Sequence, residues 1–144
     1  MATRDLHNNI QVLSVIDPYD HGTGDTAKVG EIIDTQGCSA LEFIIQTGSL
    51  ADADATFTVL VEDGDASDLV ADGAAVSDAN LLGTEASASF IFSDDNKIAK
   101  IGYIGAKRYV RLTITPANNT GACLLSACAI KHTLAVGPNT TQLA

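Results

Sequence analysis

The clearest pattern in the chain is alternation of period two. In Ser39–Thr47, Leu41, Phe43 and Ile45 face one way while Ala40, Glu42, Ile44 and Gln46 face the other. In Ala55–Glu62, Phe57, Val59 and Val61 alternate with Thr56, Thr58, Leu60 and Glu62. Lys107–Thr115 is sharper still: Val110, Leu112 and Ile114 form one side, and Tyr109, Arg111, Thr113 and Thr115 the other, with the β-branched enrichment that strands favour. Weaker strand signals lie at Asn9–Ile16, Thr26–Asp34, Leu81–Thr84, Ala88–Phe92, Ile98–Ile104 and Ala122–Leu134. The last of these is a long, nearly continuous apolar run.

Turn residues separate these segments. Asp17–Asp25 carries Pro18, two glycines and three aspartates; Gln36-Gly37, Ser93–Asn96 and Pro116–Gly121 are further breaks. Asp63–Asn80 has no period and reads as a long surface excursion, which compact domains rarely keep without a use for it. About eight to nine strands at spacings of roughly ten residues, with no convincing helical period, predict an all-β fold: an antiparallel sandwich or jelly roll. The 144 residues are expected to form one domain, with extended arms at 1–9 and 133–144.

Composition narrows the function classes. The core must be built of Val, Ile, Leu and Ala, because only seven aromatic residues are present and none is Trp. A net charge of −10 disfavours nucleic-acid binding. No apolar leader or membrane-length run is visible, so the expectation is a chain made and kept soluble in a cytoplasm, with no membrane partner. Cys38, Cys123 and Cys128 read as small core residues rather than a disulfide pair.

Charge is distributed unevenly along the chain. All eighteen acids lie at or before Asp95, so residues 1–95 carry −16 (18 acids less Arg4 and Lys28) and residues 96–144 carry +6. Asn96–Pro116 holds five of the eight basic residues, at Lys97, Lys100, Lys107, Arg108 and Arg111. A solvated strand face is one reading of them. A dipolar surface that orients docking on a partner is the other, and it nominates Lys107, Arg108, Tyr109 and Arg111 as a partner-binding set. Reversing Arg108 and Arg111 is then expected to weaken attachment and leave the fold intact.

Candidate chemistry is sparse. Asp52 and Asp54, and Asp63 and Asp65, group carboxylates as a calcium site does, but EF-hand spacing fails and the strand between them holds the two clusters roughly 26 Å apart. His7, His21 and His132 lack metal-ligand spacing, and no nucleophile motif such as GxSxG occurs. The expectation is a protein that is not an enzyme, with no cofactor, no metal and no catalytic residue.

The segments TGSLADADATFTVLVEDGD, LLGTEASASFIFSDDN and KIGYIGAKRYVRLTITPANNTGACLLSACAI resemble small proteins encoded in tailed-phage and prophage head-gene clusters. The likeness spans roughly residues 6–132 and is to head decoration (cement) or accessory capsid proteins. It implies a structural virion protein on the capsid exterior, the phage major capsid protein as partner, and a homo-oligomer, with a trimer favoured. A neck, tail or fibre component is the alternative, followed by a carbohydrate-binding β-sandwich.

Overall fold

The computed structural model describes residues 5–140; residues 1–4 and 141–144, parts of the two expected arms, lie outside them. The chain forms a β-sandwich of two antiparallel sheets. One has the order β1 (Ile10–Asp20), β10 (Cys123–Leu134), β3 (Cys38–Leu50), β8 (Ile98–Tyr103), β6 (Leu81–Leu82). The other has β2 (Lys28–Asp34), β9 (Tyr109–Ala117), β4 (Thr56–Gly64), β5 (Ala74–Ala75), with β7 (Phe90–Ile91) also paired to β4. The described residues thus hold ten strands, slightly more than the pattern predicts, because β5 is a two-residue piece inside the Asp63–Asn80 excursion.

The alternation decides what is buried. Leu41, Phe43 and Ile45 of the first sheet meet Phe57, Val59, Val61, Val110, Leu112 and Ile114 of the second, all at 4 % exposure or less. Phe57 and Phe90 stack with centroids 4.9 Å apart. Burying such side chains contributes roughly 1.5–3 kcal/mol each, so the aliphatic core carries the fold without staples. The three cysteines are free. Cys123 is a core residue as expected, whereas Cys128, five residues on, falls on the outer side and is half-buried.

Two prolines sit inside strands where turns are expected. Pro18 lies within the second of two register shifts in β1, between Ile16 and Tyr19; as the sheet's outermost strand, β1 tolerates the missing N–H there. Pro116 lies near the end of β9, beyond the last residue paired to β2 (Ile114 with Lys28), so only β4 flanks it. Gly30 is required where the sheets close along β1 and β2. A Cβ there would stand 2.6 Å from the Leu112 carbonyl oxygen and 2.8 Å from Val15 Cγ1.

The 63–80 excursion is more organised than its composition suggests. Leu69 and Val76 are buried, and the Asp72 carboxylate accepts hydrogen bonds from the Asp65 and Ala66 amides at 2.6 and 3.0 Å. Residues 85–88 form a one-turn helix, α1, which takes in Ala88 from the strand expected over Ala88–Phe92; Thr84 and Ser87 cap it reciprocally. This segment closes an edge. Between β5 and β7 the β4 amides of Val59 and Val61 donate to Ser89 Oγ (3.0 Å) and Glu85 Oε1 (2.6 Å), so side chains stand in for a missing strand.

The described parts of the two expected arms carry local structure. His7–Asn9 is a 3-10 turn, and Thr133 and Leu134 belong to β10. Asn139 donates from its amide to Asn8 O (2.8 Å) and from Nδ2 to Ile10 O (3.1 Å).

Candidate docking face

The basic set from the sequence falls around one end of β9, but not on a sheet edge. Strand β9 is central, flanked by β2 and β4, and both belong to the acidic part of the chain. The topology therefore interleaves the two halves of the charge pattern. Arg111 lies directly opposite Glu62 and donates from Nε and Nη2 to its Oε2 at 3.2 and 2.9 Å, both side chains about four-fifths covered. Arg108 grips Asp34 through Nε and Nη2 at 3.0 and 2.8 Å, and its guanidinium lies 5.0 Å from the Tyr109 ring centroid. Lys107 is paired with Asp65. Three of the four predicted residues thus spend their charge within the chain, and the dipole that nominated them is cancelled locally.

The same end holds Tyr103, whose hydroxyl donates to Asp63 Oδ2 (2.7 Å) and accepts from the Lys107 amide (3.0 Å). Burial, then the Asp63 carboxylate, pushes its phenol well above the ordinary range. Of the carboxylates considered for calcium, Asp63 and Asp65 are occupied this way. Asp52 Oδ2 accepts from the Thr120 amide and hydroxyl, both at 2.6 Å. No cluster of three metal-ligating side chains occurs among the described residues.

The surface that departs from the rest of the molecule is the outer face of the first sheet. Register fixes its composition, since residues directly opposite on antiparallel strands share a side. One row runs Val12, Ile130, Glu42, Gly102, Leu82; the next Ser14, Cys128, Ile44, Lys100; the third Ser126, Gln46, Ile98. A cavity of about 400 Å³ opens along its β1 side, lined by Val12, Ser14, Ile44, Gln46, Ser126 and Cys128 among others. Ile98, Leu82, Val12 and Leu124 are exposed at 68 %, 56 %, 46 % and 43 %.

Only Glu42 and Lys100 are charged within these rows; Asp17, held by Ser14 Oγ, stands at the bulged β1 rim. The Glu42 carboxylate lies over Gly102, where a Cβ would come within 2.7 Å of it. Burial raises its pKa from the ordinary 4.5, with Lys100 on the next strand pulling the other way. It accepts no hydrogen bond from any described residue. The alternation did mark Glu42 and Ile44 as sharing a side of β3. Which strands would extend that side into a face was not visible.

No family model matches the chain, and no curated protein matches it. Among solved structures it is similar to a family two carbohydrate esterase from Cellvibrio japonicus (TM-score 0.44, 11 % identity, 93 % of this chain and 33 % of that one). It is similar to the SPBc2 prophage-derived protein YomS (0.43, 12 %, 85 % and 94 %). A third likeness is to the N-terminal CBM22-1–GH10 modules of endo-1,4-beta-D-xylanase 10B from Clostridium thermocellum, complexed with xylohexaose (0.43, 10 %, 92 % and 27 %). The chain spans a third of the esterase chain and about a quarter of the xylanase chain. Likenesses this distant carry no argument about function.

Proposed function

We propose that this protein is a structural virion component, a head decoration protein that docks on the outer surface of a tailed-phage capsid through the outer face of its first sheet. The observation that carries the reading is that face: five exposed or half-exposed aliphatic side chains, with two charges of opposite sign in its three rows, on a chain of net charge −10. Interface centres are depleted of charge relative to the rest of a surface, and contiguous exposed apolar area marks a place where something binds. A half-covered carboxylate without a hydrogen-bond donor fits a surface completed by a partner. The resemblance to decoration proteins supplies the partner, the major capsid protein.

Sugar binding finds less support, because saccharide platforms use exposed aromatic rings. None of the strand residues making up these rows is aromatic. Tyr103 is buried, and Tyr19 packs against the core under the Lys28 ammonium, 4.7 Å from its ring centroid.

The test is direct. Purified protein mixed with undecorated heads should bind saturably, and Ile44→Asp, which places a second acid in the middle of the face, should reduce that binding at least tenfold. Absence of saturable binding at both low and physiological salt would overturn the proposal.

A further inference from the structure

We infer that two copies of this chain pair through the outer face of the first sheet, Glu42 of each copy opposing Lys100 of the other. The inference rests on the reading above only for the identity of the face.

Whatever covers this face must answer its two charges. Removing a carboxylate and an ammonium from water without partners costs several kcal/mol per ion, so a covering surface must bring a cation over Glu42 and an acceptor over Lys100. The protein's own face meets both requirements. Glu42 on β3 pairs directly with Gly102, two residues from Lys100 on β8, so the two charges are diagonal neighbours of opposite sign. A two-fold axis lying in the interface and passing midway between them places each over its opposite, twice per dimer, as isologous association requires. The same axis brings Ile44, beside both, against its own copy.

Net charge selects this surface further. Two molecules at −10 repel, and most of the eighteen acids lie elsewhere on the chain. The three rows sum to zero, with Glu42 offset by Lys100, and the face's other acids, Asp17 and Asp20, stand at its β1 rim. This is where like copies can approach with least repulsion. Size sets the strength. At about 4.8 Å between strands and about 3.4 Å per residue, the face from β1 to β6 and from Leu124 to His132 covers roughly 500 Å², short of the about 800 Å² per partner of a standard stable interface. The dimer is therefore weak and concentration-dependent. It closes the surface that the capsid would take, so head binding and self-association compete.

Sedimentation equilibrium of the protein alone tests this without heads, which separates its failure from failure of the decoration reading. Wild type should show a reversible monomer–dimer equilibrium. Glu42→Lys and Lys100→Glu should each raise the dissociation constant roughly tenfold or more, and the double swap should restore it. Circular dichroism confirms that each variant is folded; if Glu42→Lys is not, Glu42→Gln takes its place with a smaller increase expected. A wild type that stays monomeric at millimolar concentration would overturn the inference. So would association that neither reversal weakens, including a trimer indifferent to both, or a double swap no better than the single ones.

Discussion

The two outer faces of the sandwich use charge in opposite ways. On the second sheet the ion pairs close within the chain, Arg111 on Glu62 between adjacent strands and Arg108 on Asp34 at the end of β2, while Glu31 of β2 stands exposed to water. Thr56, Thr58, Thr113 and Thr115 fill the remaining rows, around Leu60 and Val29. That surface's two ion pairs need no second molecule, although the buried Thr113 Oγ1 has no hydrogen-bond partner among the described residues. On the first sheet Glu42 and Lys100 sit among Val, Ile, Leu, Ser and Cys with no close partner among the described residues. A face whose charges are satisfied internally contributes to folding, whereas one whose charges wait for a second surface contributes to association. The sequence leaves the basic stretch as a docking set or a solvated strand face; in the structure Lys107, Arg108 and Arg111 each pair with a carboxylate of the same chain.

The largest expected effect breaks an ion pair of the second sheet. Arg111→Glu leaves Glu62 mostly covered beside a second acid and should destabilise the fold by about 2–3 kcal/mol, below the 3–5 kcal/mol of a fully buried pair because a fifth of each side chain still meets water. A urea melt reads this as a lower midpoint. This runs against the expectation that reversing Arg111 leaves the fold intact, and the melt decides between the two. The double swap Glu62→Arg with Arg111→Glu should recover most of the loss, independently of protein concentration. That independence is the contrast with the first sheet, where the swap should restore a concentration-dependent association. A concentration-dependent recovery on the second sheet would erase the distinction between the faces.

Next in size is Glu85→Ala, which removes the acceptor for the Val61 amide at the edge closed by α1. An unsatisfied buried donor costs about 1–3 kcal/mol. Hydrogen exchange at Val61 should accelerate while amides on the β9 side of β4 stay protected. Uniform loss of protection would mean that the segment supports the whole sheet rather than one edge.

Alternation along each strand was enough to give the fold class, because period two assigns sides whatever the partner strands are. The core triads at Leu41, Phe43 and Ile45 and at Val110, Leu112 and Ile114 were legible for that reason. Pairing across strands was not. Arg111 and Glu62 are 49 residues apart, and only the path of β9 between β2 and β4 turns a charge border in sequence into ion pairs in space. The face itself left a trace in Ile44, an apolar residue on the outward side of β3, and in the run Ala122–Ile130, apolar on both sides. Lys131 hid in that run too. It occupies an inward position and donates Nζ to the Asp34 and Gln36 carbonyls at 2.8 and 3.2 Å. α1 was missed because four residues are too few to show a helical period, although Thr84 and Ser87 carried the capping signal.

The smallest effects compare the faces by acid. Asp34 is held below its ordinary 3.8, first by the Arg108 hydrogen bonds, so its contribution to stability is fully present above about pH 4 and is lost as pH falls through the depressed value. Arg108→Ala should therefore be slightly less stable than wild type at pH 7, the difference closing in acid; exposure of both side chains keeps it small. Glu42 is raised above its ordinary 4.5 by burial, so its contribution is present below that value and lost as pH rises through the elevated one. Glu42→Gln mimics the protonated form and should be slightly more stable than wild type at pH 7, in solutions dilute enough to be monomeric. That difference too closes in acid. Thermal melts of the three proteins at pH 7 and pH 3 read both. Opposite signs at neutrality that converge at low pH identify one carboxylate answered within the chain and one that is not. If Glu42→Gln instead lowers stability at pH 7, Glu42 is already satisfied in the monomer, and the first sheet has no unanswered charge to present to a partner.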